Sequence, residues 1–365
     1  MQKNNRTILF LFPYPLGHAP SQRFRFEQYF DALRESGYRL ETQSFLTEEA
    51  WRLLYTPGNT VRKILAVAGG FIRRAAIFFG PVQRASYVFV HREIAPLGPP
   101  LLEWFIARVM AKKLMYDFDD SIWIPNTSEE NRIASSLKWH SKVKSICRWS
   151  HVVSVGNRYL ARFAELHNGT VIVNPTTVDT ERLHILTSEN THSNAGVITI
   201  GWTGTHSTLK YLKEIEPVLV QLEERFGSRV RFLAIANRAL VLRLSHFVFM
   251  PWTKEKEIDD LRQLDIGIMP LQDDAWSQGK CGLKALQYMS LGIPTVASPV
   301  GVNREIISDD VDGYLCSTSQ AWFDRLSALV EDAALRKRIG DAGRHRVVDA
   351  YSTASNRSVF LSLFR

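Results

Sequence analysis

Cysteine is scarce in this chain: three in 365 residues, Cys147, Cys281 and Cys316, widely spaced and odd in number. That spacing excludes a disulfide framework and the usual zinc patterns, and it points to a reducing, cytoplasmic setting. Long apolar runs are also missing. No stretch approaches the ~20 residues a spanning helix needs. The nearest, residues 64–79, is split by Gly69-Gly70 and Arg73-Arg74. The run from Ile8 to Phe12 stops at Pro13 and Pro15, too short for a signal segment, and reads as a buried first strand. Short-period repeats and low-complexity tracts are absent, which argues against a solenoid. Acid is missing from one long segment: residues 50–92 hold Arg52, Arg62, Lys63, Arg73, Arg74, Arg84 and Arg92 without a single Asp or Glu.

The length suits two domains of about 150–200 residues, divided here as 1–180 and 181–345 with a C-terminal helix, 346–365, expected to pack back toward the first. The net charge of +8 lies wholly in the first half: residues 1–180 carry 23 Lys+Arg against 15 Asp+Glu, and residues 181–365 carry 22 of each. A basic half beside a neutral one suggests an anionic partner for the former. Short apolar runs alternate with amphipathic stretches, the pattern of parallel sheets covered by helices. Strands are expected at 7–12, 87–91, 113–117, 151–155 and 170–173, with helices at 21–36, 100–112 and 131–149. After a linker at 175–182 and a polar turn at 187–196 the rhythm restarts. Strands are expected at 197–201, 230–236, 266–270 and 294–297, and helices at 208–226, 255–263, 282–291 and from 319 onward. The fold class is therefore α/β, two doubly wound Rossmann-like domains, with ligands at the carboxyl ends of the strands.

The most informative stretch is 265–313. A strand ends at Pro270, a polar loop follows, and Gly282 opens a helix that closes at Gly292. A glycine at a helix start leaves backbone N–H groups and the positive end of the dipole available to a diphosphate. Lys280 and Lys284 bracket that start and can add charge-assisted bonds. The alternative from spacing alone is a βαβ unit that binds nothing.

Residues 286–298, Gly301 to Ile307 and Asp312-Gly313-Tyr314-Leu315 resemble the donor-binding segment of the family-4 retaining glycosyltransferases, which have the GT-B fold. Leu335-Arg336, Gly340, Arg344 and Tyr351-Ser352 resemble that family's C-terminal helices, and the Pro13–Gly17 turn, His91 and Asn174-Pro175…Asp179 agree more loosely. The resemblance implies two domains facing across a cleft that closes about the linker near Pro175. It also implies a nucleotide-sugar as substrate, and neither cofactor nor metal. The family's paired glutamates fall on Gly279 and Gln287. Gln287 keeps an amide for the donor ribose, whereas Gly279 cannot contact the sugar. The family's Arg and Lys that grip the diphosphate are replaced by the loop Trp202-Thr203-Gly204-Thr205-His206-Ser207-Thr208. The implied donor-side residues are Gly17, Arg23, Thr203, Gly204, Thr205, Arg238, Trp252, Lys280, Gly282, Leu283, Lys284 and Gln287.

In the first half, Val90-His91-Arg92-Glu93 ends a strand and resembles the family's strand-end His-Glu, which places His91 near the transferred sugar. Asp117-Phe118-Asp119-Asp120 looks like the Asp-x-Asp metal motif of a different glycosyltransferase fold, but two Rossmann-like halves argue against that fold. Asp119 and Asp120 are read instead as carboxylates orienting an acceptor hydroxyl, or as caps. The acid-free segment 50–92 interleaves its cations with Trp51, Ile64, Phe71, Ile72, Phe78 and Phe79, so it suits either an anionic membrane surface or an ordinary helix with solvated arginines. Nucleic acid has no supporting motif. The expected function is transfer of a sugar to a glycan or lipid-linked acceptor, with retention, in cell-envelope polysaccharide or glycolipid synthesis. A nucleotide-sugar epimerase on the same fold and a catalytically silent partner protein are the rivals.

Overall fold

A computed structural model describes residues 6–56, 58–125, 139–186, 196–205 and 208–365. The expected helix start at 131 and polar turn at 187–195 lie outside them. The chain divides into two compact units, one of residues up to Thr176 with Asn356–Arg365, the other Thr177–Ser355. The return to the first unit therefore falls at Asn356 rather than 346, because the helix Ala333–Tyr351 belongs to the second unit and runs past 346.

The N-terminal unit is built on six parallel strands: β1 (Thr7–Phe12), β2 (Arg39–Ser44), β3 (Tyr87–His91), β4 (Lys113–Phe118), β5 (Val152–Val155) and β6 (Val171–Val173). Their order is β2-β1-β3-β4-β5-β6. The chain leaves β1 toward one edge and returns on its other side as β3, which makes the β1/β3 junction a topological switch point. β1, β3 and β5 are buried along their length and, but for His91 and Ser154, apolar, as strands covered on both faces must be. The C-terminal helix Thr353–Ser362 and the residues after it complete this core. Tyr29 stacks on Phe360 with centroids 4.4 Å apart, and the Tyr38 hydroxyl donates to the Phe364 carbonyl at 2.8 Å.

The helix expected over 21–36 is broken into Pro20–Arg23, a 3₁₀ turn at Glu27–Tyr29 and Phe30–Glu35. Between the first two, Phe24, Arg25 and Phe26 all turn inward and are almost completely buried, which one straight helix face cannot do. The helix Thr60–Ala76 buries Gly70 and Arg74 and leaves Val61, Ile64, Leu65 and Ile72 on its outer face, each 62–71% exposed. Arg74 is wholly buried and donates to the carbonyls of Phe12, Gln43 and Ile94. It thereby ties together the last residue of β1, the end of β2 and the chain just beyond β3.

The second unit repeats the plan with β7 (Ile198–Gly204), β8 (Val230–Ala236), β9 (Phe247–Pro251), β10 (Ile266–Met269), β11 (Thr295–Ala297) and β12 (Tyr314–Leu315), in the order β12-β11-β10-β7-β8-β9. Its switch point lies between β7 and β10. The helix expected over 208–226 is two, Leu209–Glu214 and Glu216–Phe226. Pro217 has no N–H to continue the first and sits comfortably in the first turn of the second. The helix Leu283–Ser290 follows β10, and Arg344 donates to the carbonyls of Ser290, His184 and Thr180. A cation is thus fixed at that helix's C-terminus, where the dipole favours it.

Candidate functional site

In the N-terminal unit three polar residues interrupt otherwise apolar strands in one line. His91 pairs in register with Asp117, and Asp117 with Ser154, across β3, β4 and β5. His91 Nδ1 lies 2.8 Å from Asp117 Oδ2, and Ser154 Oγ donates to Asp117 Oδ1 at 2.6 Å. Arg25 closes the group with hydrogen bonds to both carboxylate oxygens and to the Asn174 carbonyl. All five side chains are essentially buried. Burial alone would raise the Asp117 carboxyl, but Arg25 and the His91 hydrogen bond hold it well below the usual carboxylate range. An ionised carboxylate can only accept, so His91 carries its proton on Nδ1 and, when neutral, presents Nε2 as a lone pair. That Nε2 and both ends of the Asn174 amide are buried without a partner among the described residues. Buried polar atoms are nearly always paired, with protein groups or with ordered water.

Asp119 and Asp120 follow β4, and both are held by one guanidinium: Arg92 reaches Asp119 Oδ1 at 2.7 Å and Asp120 Oδ2 at 2.6 Å. Arg92 adopts φ of 63°, a strained value for a non-glycine residue. Its N–H reaches back to the Asp117 carbonyl at 2.7 Å, fixing the chain as it leaves His91. All three carboxylates of the Asp-x-Asp stretch therefore face cations of the protein itself. Gly17 donates its N–H to Glu27 Oε2 at 2.8 Å, so the amide expected to meet a phosphate is already engaged by a carboxylate. The Arg23 guanidinium lies over the Phe24 ring, 5.0 Å from its centroid.

In the second unit the loop after β7 and the start of the Leu283–Ser290 helix come together. Lys284 Nζ sits 4.9 Å from the Trp202 ring centroid and 3.4 Å from Thr208 Oγ1. Burial, and next the charge of Lys280, bring its pKa down from 10.5 to about 7. The Thr203 N–H donates to the Tyr288 hydroxyl at 2.8 Å, and Thr205 and Thr208 close a turn on each other. A Cβ on Gly204 would fall 2.3 Å from Trp202, so the turn requires glycine. Gly282 has φ of 69° and no room for a side chain, with Ile306 Cδ1 2.2 Å from where a Cβ would stand. The glycine serves packing as well as the helix start. Leu283 opens the helix half-buried beside it. Gln287 is 3% exposed and its Nε2 has no partner among the described residues; neither has the buried Asn303 Oδ1, 3.6 Å from that Gly282 position.

Two expected residues stand apart from this cluster in their contacts. Arg238 lies exposed on the turn after β8, and Trp252 donates from Nε1 to Glu257 Oε1 at 3.3 Å while packing on Leu233 and its neighbours. Sequence reasoning missed Arg25, Asp117, Ser154 and Asn174 as a unit, and Trp202 as the surface beneath Lys284. The signal available was polar residues placed near the ends of apolar strands.

Two Rossmann-like units in one chain, each with its polar cluster toward the carboxyl ends of its strands, define the GT-B fold. Comparison with known proteins agrees. Residues 227–346 match the family model described as glycosyl transferases group 1. A D-inositol 3-phosphate glycosyltransferase of Xylanimonas cellulosilytica is 29% identical over 144 residues. That match covers 35% of this chain and about a third (33%) of the relative. Among solved structures, sucrose-phosphate synthase from Thermosynechococcus elongatus aligns with a TM-score of 0.69 at 14% identity, covering 99% of this chain and 98% of that one. A glycosyltransferase from Rickettsia africae aligns at 0.68 and 14%, with 99% and 98% covered. The Anabaena protein HepE, in complex with UDP and glucose, aligns at 0.64 and 14%, with 98% and 99% covered.

Proposed function

We propose that this protein is a glycosyltransferase that takes a sugar from a nucleotide-sugar held by the C-terminal unit and passes it to a glycan or lipid-linked acceptor. The observation that carries the reading is the cluster at the β7/β10 switch point, within and beside the segment that matches glycosyl transferases group 1. There a helix start, Lys284 on its Trp202 platform, and the orphaned Gln287 amide are one turn apart. The helix N-terminus and Lys284 neutralise the departing diphosphate. Gln287 receives a ribose hydroxyl, which relieves a buried donor left without a partner. In the N-terminal unit His91 Nε2 and Asn174 receive sugar hydroxyls. Retention at the anomeric carbon and independence of metal follow from the family resemblance. The engagement of Asp117, Asp119 and Asp120 by Arg25 and Arg92 supports the latter.

The acceptor is placed at a membrane's cytoplasmic face, in envelope polysaccharide or glycolipid synthesis, and the support is the apolar outer face of the Thr60–Ala76 helix with Phe79 beyond it, 86% exposed. Among the described residues no helix is long and apolar enough to cross a membrane, so contact would be peripheral. Saturation-transfer NMR against UDP-, GDP- and ADP-sugars, followed by release assays with the sugar that binds, tests the function. Binding with release of free nucleotide only on addition of acceptor is expected. Absence of binding would leave a silent partner protein, and conversion of the sugar without any acceptor would make it an epimerase.

A further inference from the structure

A cavity of about 650 Å³ opens in the N-terminal unit, within the range of small-molecule sites. One wall is the helix Thr60–Ala76, through Phe71 and Ala75; another is the loop 95–100 with the start of the helix Leu101–Trp104, and Trp139 completes the described lining. Among the described residues, Lys142 and Glu103 are the charged side chains that line it, and both are already engaged. The Lys142 ammonium contacts Glu93 at 2.7 Å and donates to the Ala95 carbonyl at 2.8 Å, and Glu103 accepts from the Ile94 N–H at 3.0 Å. A polar ligand would find little there to bond, so the lining selects an apolar one.

Its surroundings are apolar as well. Val61, Ile64, Leu65 and Ile72 run along the outer face of the first wall; Leu101 of the second wall is exposed, as are Trp104, Phe105 and Val109 after it. The rings of Phe78 and Phe105 meet at 5.2 Å and join the two stripes. Exposed apolar patches of this kind mark a contact with lipid or partner. The loop that forms the second wall begins at His91. Four residues of chain span at most about 14 Å, so Ala95 in the wall lies no farther than that from His91.

We propose that this cavity binds one hydrocarbon chain, that of a lipid-linked acceptor whose head group reaches the His91–Asn174 cluster. The proposal rests on the glycosyltransferase reading for the identity of the ligand, though not for its chemistry. Loop 92–100 then links the two ends of one substrate, holding the tail at Ala95 and Pro100 and the head at His91. Lys142 and Glu103 act on that loop as positioning residues, since each bonds its backbone.

Titration calorimetry with octyl-, decyl- and dodecylphosphocholine, all below their micelle concentrations, tests the chain. One saturable site per protein is expected, with affinity rising roughly fourfold per methylene until the cavity is full. Ala75→Trp fills the cavity from an exposed helix position and should weaken dodecyl binding at least tenfold. Leu102→Asn, which sets an amide in the opposite wall, should do the same. Absence of a saturable site in the wild type, or equal binding by both variants, overturns the proposal. Dodecyl β-glucoside separates the sources of the chain. Binding about tenfold tighter than dodecylphosphocholine assigns the tail to an acceptor with a sugar head, and equal affinity assigns the cavity to bilayer lipid and refutes the acceptor. None of these measurements needs a nucleotide-sugar, so failure of the glycosyltransferase reading would show separately, as loss of donor binding with chain binding intact.

Discussion

Lys284 should make donor binding depend on pH in a way few other residues of this chain would. Its pKa is depressed from 10.5 to about 7, by burial first and by Lys280 second. A bound diphosphate favours the protonated form and raises the pKa again. If the complex restores the ordinary value, affinity falls about tenfold from pH 6 to 8 and about ninetyfold from pH 6 to 9, which is ~2.7 kcal/mol. The sign is fixed: the free protein binds fewer protons than the complex between the two pKa values, so binding takes up a proton and weakens as pH rises. In the unliganded protein the same depression makes folding stability increase with pH over that window, because the unfolded lysine there holds more protons. A nucleotide-sugar is a better probe than a free nucleoside diphosphate, whose terminal phosphate titrates near neutrality itself. Calorimetry at pH 6, 7, 8 and 9 in buffers of different ionisation enthalpy reads both the affinity and the proton taken up. Lys284→Met should remove the slope and weaken binding at pH 6 by about 1.5–3 kcal/mol, the range for a hydrogen bond to a charged group. A wild-type affinity constant across that range, without proton uptake, would refute a diphosphate beside Lys284.

Three further outcomes follow from the two clusters. Asp117→Asn leaves Arg25 buried without its counter-charge and should cost ~3–5 kcal/mol in a denaturant melt. The stability Asp117 contributes is complete above the ordinary carboxylate pKa and is lost as pH falls below it toward the depressed folded value, so the gap between the two proteins should narrow in acid. Gln287→Met removes a buried amide whose Nε2 has no partner among the described residues, and should leave the melting temperature equal or higher while weakening every nucleoside diphosphate alike. A lower melting temperature would mean that the amide has a partner in the free protein. Sugar transfer should continue in excess EDTA, and its abolition with rescue by Mn²⁺ would return Asp117, Asp119 and Asp120 to a metal.

The parts of the fold that were legible are those whose neighbours are uniformly apolar. β1 and β10 are buried apolar runs, and β3 and β8 are the same but for one polar residue each, His91 and Arg231, so their sequences announce them. β2, with the sequence RLETQS, lies at a sheet edge and is only partly buried, so nothing in its pattern separates it from a loop. β9, an edge strand of the second unit's sheet, is likewise only partly buried. The site divides in the same way. The glycine-opened helix and its lysines are local in sequence and were visible. The bond between Arg25 and Asp117 joins residues 92 positions apart and depends on a register that only the folded sheet supplies.

The acid-free segment shows most clearly how a linear reading of charge misleads. Seven cations without an acid between residues 50 and 92 suggest an unopposed positive surface. In the folded chain the opposing groups come from outside the segment. Arg52 contacts Glu48 at 3.2 Å, Arg84 contacts Glu41 at 3.2 Å, and Arg92 holds Asp119 and Asp120. Arg73 donates to the Phe45 carbonyl, and Arg74 is buried against three more carbonyls. Arg62 and Lys63 are left at the start of one helix, and two cations near an anionic surface are worth only about 2 kcal/mol together. What the segment offers to a bilayer is therefore chiefly its apolar outer face. Burial of Ile64, Leu65, Ile72 and Phe79, at 1.5–3 kcal/mol for each side chain fully buried, outweighs that charge term several-fold. Salt should accordingly loosen the protein from phosphatidylglycerol vesicles only in part. Changing Arg62 and Lys63 to Gln should affect co-sedimentation less than changing Leu65 and Ile72 to Ser. Complete release by salt, with no effect of the serine changes, would put the charge back in command.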